Sequence, residues 1–234
     1  VFADSVVLCV EELAGVADWI AVAEVAAVRG VAVGMAAGFY SQEEAIQAMA
    51  EAGADVITLD RGDCDDTCAR ITALGRRAHA IQCDLLETSA EALEQLVSAA
   101  AAEMGRLDIL VNNAGTILRA PAVEHSDEYW DKVIEVNLSS QFVITREFGK
   151  DMVERGSGHI VNISSLAGWV GSHGMSAYCA SKFGLRGFGE SLAADLEGTG
   201  VNVTNVYPCF SRTPILDSPR YGYEETLEVP AYLV

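Results

Sequence analysis

The feature that most constrains this chain is an alternation of two patterns. Short, nearly continuous Val/Ile/Leu runs occur at 31–35, 55–59, 78–82, 107–111, 159–163 and 201–206. Stretches with helical spacing lie between them, at 41–52, 65–74, 91–104, 126–155 (broken near Asn137 and Leu138) and 175–197. A strand that is apolar at successive positions, rather than at alternate ones, is buried on both faces. Such strands joined by helices predict a doubly wound parallel sheet between two helical layers, with right-handed crossovers. The 234 residues suit one domain.

Charge narrows the partners. Acidic residues number 34 against 15 basic, a formal charge of -19. That field repels phosphate backbones and anionic lipid surfaces, so neither nucleic acid nor membrane is an expected partner. The apolar N-terminal stretch carries Asp4, Glu11, Glu12 and Asp18, which does not fit a leader peptide, and a cytoplasmic chain is expected. Cys64 and Cys68 are four apart, a spacing that puts both on one helical face, but no second Cys/His pair completes a zinc site. No metal is expected. Residues 1–30 read as an extension: either an extra βα unit on the sheet edge (strand 5–10, helix 14–29) or an arm.

In an open parallel sheet, ligands bind past the carboxyl ends of the strands. After Val111 comes Asn112-Asn113-Ala114-Gly115, small enough for close approach of backbone to a ligand. After Ile163 come Ser164 and Ser165, and Tyr178 is followed four residues later by Lys182. That spacing on a helix puts phenol and ammonium on one face. At roughly 4 Å and an effective dielectric near 20, their attraction is worth about 4 kcal/mol, about three pKa units. A tyrosine near neutrality is a competent proton-transfer group. Taken singly, Asn137 can also break or cap a helix, the serines can cap a turn, and Lys182 can be a solvated charge.

Asn112-Asn113-Ala114-Gly115, Asn137, Ser165, Tyr178-x-x-x-Lys182 and Pro208 followed by Thr213, in this order and spacing, resemble the short-chain dehydrogenase/reductase family from about residue 50 to 213. The resemblance implies a Rossmann-like, three-layer αβα fold over 31–234, and NAD(P)-dependent interconversion of a secondary alcohol and a ketone. It implies that Ser165 polarises the substrate oxygen and that Tyr178 transfers the proton. Lys182 would assist Tyr178 and bind the nicotinamide ribose, while Asn137 holds a water. Asn112, Ala114, Gly115, Asp84, Pro208 and Thr213 would line the cofactor. It also implies a homo-oligomer, a dimer or tetramer.

Two departures weigh against that pattern. The usual Thr-Gly-x-x-x-Gly-x-Gly loop reads Val33-Gly34-Met35-Ala36-Ala37-Gly38-Phe39-Tyr40, which keeps Gly34 and Gly38 but puts tyrosine at the third glycine. Ser41 and Glu44 form a capping box, so a helix N-terminus still stands there to hold phosphate. The segment 31–55 is also similar to a phosphate-gripping strand–loop–helix of (βα)8 barrels. Only 21 residues follow Thr213, so the family's last strand is expected to be missing or replaced by the N-terminal βα unit. The alternative reading is therefore a non-catalytic or chimeric family member with impaired cofactor binding.

Asp60, past the second strand, can accept both ribose hydroxyls and repel a 2′-phosphate, while Arg61 can pair with that phosphate; NAD is favoured over NADP. The run 112–138 is similar to sugar-acid dehydrogenases acting on gluconate-type keto acids. Arg119 can meet a carboxylate or lie on the surface, and Trp169, His173 and Met175 fall near the expected pocket.

Overall fold

The computed structural model describes residues 6–9 and 55–207. In chain order its elements are β1 (Val6–Cys9), β2 (Val56–Asp60), α1 (Asp65–Ala73), β3 (Ala78–Gln82), α2 (Ala90–Met104), β4 (Ile109–Asn112), α3 (Asp127–Ile134), a π-helical turn (Glu135–Ser139), α4 (Ser140–Arg155), β5 (Gly158–Ile163), a 3-10 turn (Leu166–Gly168), α5 (Ser176–Asp195) and β6 (Val201–Val206). The described strands form one sheet in the order β3-β2-β1-β4-β5-β6, and every neighbouring pair is parallel. The order reverses between β1 and β4, so the crevice for a ligand opens at their carboxyl ends.

The N-terminal strand is not where the sequence put it. Val6–Cys9 lies in the sheet interior, with Val6 opposite Val56 on one side and Ile109 on the other, not at the edge. Val-Val-Leu-Cys has no polar position to offer to water, which suits an interior parallel strand. The predicted strand at 31–35, the helix at 41–52 and everything past Tyr207 lie outside the described residues.

Alternate residues of the strands face opposite sides. Ile57 and Leu59 of β2, Leu110 of β4 and Ile160 of β5 share one core with Leu93, Val97 and Met104 of α2 and with Ile144, Phe148 and Met152 of α4. Leu192 and Leu196 pack against it from α5 and just past its end. Each such side chain stabilises the fold by about 1.5–3 kcal/mol through burial. Thr58, between Ile57 and Leu59, faces the other side, where Cys64 and Cys68 stand beside it; burial pushes both thiols up.

A polar ladder crosses the sheet at its ligand end. Asn112, Asn162 and Asn205 sit opposite one another on β4, β5 and β6. Asn112 Nδ2 donates to Asn162 Oδ1 (2.9 Å), and Asn162 Nδ2 donates to Asn205 Oδ1 (3.0 Å). Helix α5 lies so close over this ladder that a Cβ on Gly189 would run into Asn205 and Asn162.

Candidate active site

Helix α5 carries the Tyr178–Lys182 pair on its first turns. Lys182 is 3% exposed, and its Nζ donates to the Ile163 carbonyl at the end of β5 (2.8 Å). Ser164 Oγ donates to the Lys182 carbonyl (3.0 Å), so strand end and helix are bonded in both directions. Gly168 belongs to the same joint, because a Cβ there would press on Ser164 Oγ and the Lys182 carbonyl. Burial lowers the Lys182 pKa from 10.5 to about 8. The surface-charge reading of Lys182 is thereby overturned. Its Nζ stands 5.8 Å from the centroid of the Tyr178 ring, which is itself buried beside Ile117, Leu118, Val133 and Ala167.

Asn137 sits in the π-helical turn, fully buried. Its Oδ1 accepts from the Thr116 N–H (2.7 Å), and its Nδ2 donates to the Thr116 carbonyl (3.0 Å) and to Ser181 Oγ (3.0 Å). Ser181 in turn donates to the Tyr178 carbonyl (2.7 Å). A Cβ on Gly115 would lie 3.6 Å from Lys182 Nζ and 3.8 Å from Asn137 Oδ1. Gly115, Asn137 and Lys182 therefore converge on one spot, and Ser181 ties them to Tyr178. Ser181 was not singled out from the sequence, although its place three residues after Tyr178 puts it on the same helical face.

Ser165 accepts a bond from the Ala167 N–H (3.1 Å) and caps the 3-10 turn. The capping role and the catalytic one are compatible, since the bond fixes Oγ while its proton stays available to a substrate oxygen. Asp60 ends β2, and the Cys83 N–H donates to its carbonyl (2.8 Å), which sets Asp84 beside it. Asp60 Oδ1 accepts from the Gly62 N–H (2.6 Å), whereas buried Oδ2 has no partner among the described residues. Desolvation raises this carboxyl's pKa, so added hydrogen-bond donors would stabilise its ionised form. A ribose diol is chemically such a donor pair, and the residues fit a dinucleotide on that observation. Asp84 is spent in part on its own turn, Oδ1 accepting from the Leu86 N–H (2.9 Å).

Other expected residues fall elsewhere. The Asn112 side chain is fully buried inside the sheet, where its Nδ2 donates to the ladder and to Thr145 Oγ1 (2.7 Å). Arg119 is 9% exposed, so its surface reading is overturned too. Its neighbour Ala120 donates to the Gly174 carbonyl (3.0 Å), which straps this segment to the entrance of α5. Trp169 is half exposed and stacks under the Arg186 guanidinium, 3.3 Å from the ring centroid, with the Tyr207 ring edge-on to it. His173 is exposed, and Met175 packs against the Tyr178 cluster. Gly34, Gly38, Pro208 and Thr213 lie outside the described residues.

Comparison with known proteins decides the family. The family model described as short chain dehydrogenase matches residues 25–223. The chain belongs to the short-chain dehydrogenase/reductase family. It is 41% identical over 204 residues to a 2-dehydro-3-deoxy-D-gluconate 5-dehydrogenase of Pseudoalteromonas atlantica, covering 86% of this chain and 76% of that protein. It is 39% identical over 204 residues to a D-threitol dehydrogenase of Mycolicibacterium smegmatis, covering 84% and 75%. The crystal structure of an NAD+-bound xylitol dehydrogenase matches with a TM-score of 0.68 at 25% identity, over 88% of this chain and 70% of that one. As a short-chain dehydrogenase, this chain is an oxidoreductase. No helix among the described residues is long and apolar enough to cross a membrane.

Proposed function

We propose that this short-chain dehydrogenase oxidises a secondary alcohol of a sugar acid, or reduces the corresponding ketone, with NAD as the favoured cofactor. The observation that carries this reading is the joint of Lys182, Asn137, Ser181 and Tyr178, in which a cation, a phenol and an amide are buried together at the sheet's ligand end. The nicotinamide supplies the hydride chemistry when bound. The protein manages the proton. In the oxidation, Ser165 donates to the substrate oxygen and the ionised Tyr178 oxygen takes the alcohol proton. Lys182, charged below about pH 8, favours that phenolate. In the reduction, the Tyr178 phenol returns the proton to the carbonyl oxygen.

Asp60, whose buried Oδ2 has no partner among the described residues, supports NAD, since a 2′-phosphate would meet a carboxylate there. Asp84, Ala114 and Gly115 line the cofactor in this reading, and Gly34, Gly38, Pro208 and Thr213 complete its site. Arg119, buried next to the strap at the entrance of α5, supports a substrate carboxylate. The named activity of the Pseudoalteromonas relative supports the same substrate class. We also propose a homo-oligomer. Phe142 of α4 and Phe183 of α5 are 45% and 43% exposed, and the Phe142 ring leans on Phe188.

Titration with NADH and NADPH, followed by cofactor fluorescence, tests the reading. Saturable binding with NADH tighter than NADPH is expected. No binding of either at millimolar cofactor contradicts it.

A further inference from the structure

Three side chains on one face of the π-helical turn and α4 bond three alternate residues of the segment leaving β4. Asn137 holds both the N–H and the carbonyl of Thr116. Gln141 Nε2 donates to the Ala114 carbonyl. Thr145 Oγ1 accepts from Asn112 Nδ2. Four residues of helix advance about 6 Å, and two residues of extended chain advance about 6.6 Å. The two series therefore stay in step while running in opposite directions: 137, 141 and 145 against 116, 114 and 112. Asn137 and Gln141 are wholly buried, and Thr145 is 2% exposed.

We propose that this polar zipper fixes the backbone at 113–115 and that Gln141, its middle rung, is a positioning residue for the cofactor site. The consequence for cofactor rests on the oxidoreductase reading above. Ala114 is 1% exposed, so water cannot replace a lost partner for its carbonyl. Gly115, next along the chain, is the residue that lies against Lys182 and Asn137. A shift at Ala114 is thus passed to the spot where Lys182 and Asn137 meet. Gln141 Oε1 has no partner among the described residues, so the amide is held through its nitrogen. The bond to Ala114 is the one interaction that a leucine of similar shape cannot reproduce.

The test uses Gln141→Leu and Gln141→Glu in the full chain, with two readouts: hydrogen exchange of 112–118 and NADH affinity. Gln141→Leu is expected to keep a cooperative melt, to exchange faster at 112–118 and to bind NADH about tenfold more weakly. In Gln141→Glu a protonated carboxyl can donate to the Ala114 carbonyl, whereas a carboxylate cannot. The ratio of its NADH affinity to the parent's at the same pH should be near one at low pH and fall as pH rises, a change that a purely structural role would not produce. If Gln141→Leu does not fold, the pH step in Gln141→Glu decides alone. Parent-like exchange and affinity in both variants would overturn the proposal. Should the parent bind no NADH, exchange still decides: faster exchange at 112–118 upholds the zipper while the cofactor reading falls, and unchanged exchange overturns the zipper.

Discussion

Lys182 illustrates how one side chain couples stability to chemistry. Its pKa is 10.5 in an exposed chain and about 8 here, lowered by burial. Between those values the unfolded chain holds a proton that the folded chain has released, so stability rises with pH across that window. Over about 2.5 units the effect reaches about 3 kcal/mol at most. Urea unfolding of the parent and Lys182→Met at about pH 7 and about pH 10 checks this. The difference should move in the parent's favour at the higher pH; a constant difference would mean that Nζ is not desolvated. At Asp60, substitution by Ala is expected to weaken NADH binding and narrow the gap to NADPH, read by the same fluorescence titration. Tyr178 and Lys182 stand out in the sequence by their spacing, whereas Ser165 and Asn137 stand out only through the family resemblance. The burial of Lys182 and Arg119 was not, since it depends on what α5 and the 119–121 strap pack against. Gln141 and Ser181 read as ordinary polar helix positions until the chain segments they bond are known.

At the scale of elements, the apolar runs named most strands to within two residues, because a parallel strand buried on both faces has nothing else to be. The break near Asn137 was also legible, and it is the π-helical turn that aims Asn137 at Thr116. The place of β1 was not. A run of four apolar residues says strand, but its slot is set by pairing with β2 and β4, which lie far along the chain. The approach of α5 to the asparagine ladder makes a prediction at this scale. Gly189→Ala should cost about 1–3 kcal/mol by overpacking, seen as a lower urea midpoint. An unchanged midpoint would mean that α5 does not lie against Asn162 and Asn205 as described.

For the whole molecule, the charge of -19 opposes compaction. Raising salt from about 0.05 M to about 0.5 M should therefore raise the melting temperature, by screening that repulsion. Sedimentation velocity should find an oligomer, and substituting Ser for both Phe142 and Phe183 should shift it toward monomer while leaving circular dichroism unchanged. The doubly wound fold was readable from the strand and helix pattern. The sugar-acid reading starts from the run 112–138 in the sequence, and the burial of Arg119 and the named Pseudoalteromonas relative add support to it. The central claim is that the buried Tyr178–Lys182 joint transfers the proton in an NAD(P)-dependent oxidation or reduction. The direct measurement is NADH turnover by the parent and by Tyr178→Phe, with a panel of keto sugar acids and neutral ketoses. Turnover of a keto sugar acid by the parent, reduced about 10²–10⁴-fold in Tyr178→Phe with NADH binding intact, is the predicted result. Equal turnover by parent and variant would contradict the account.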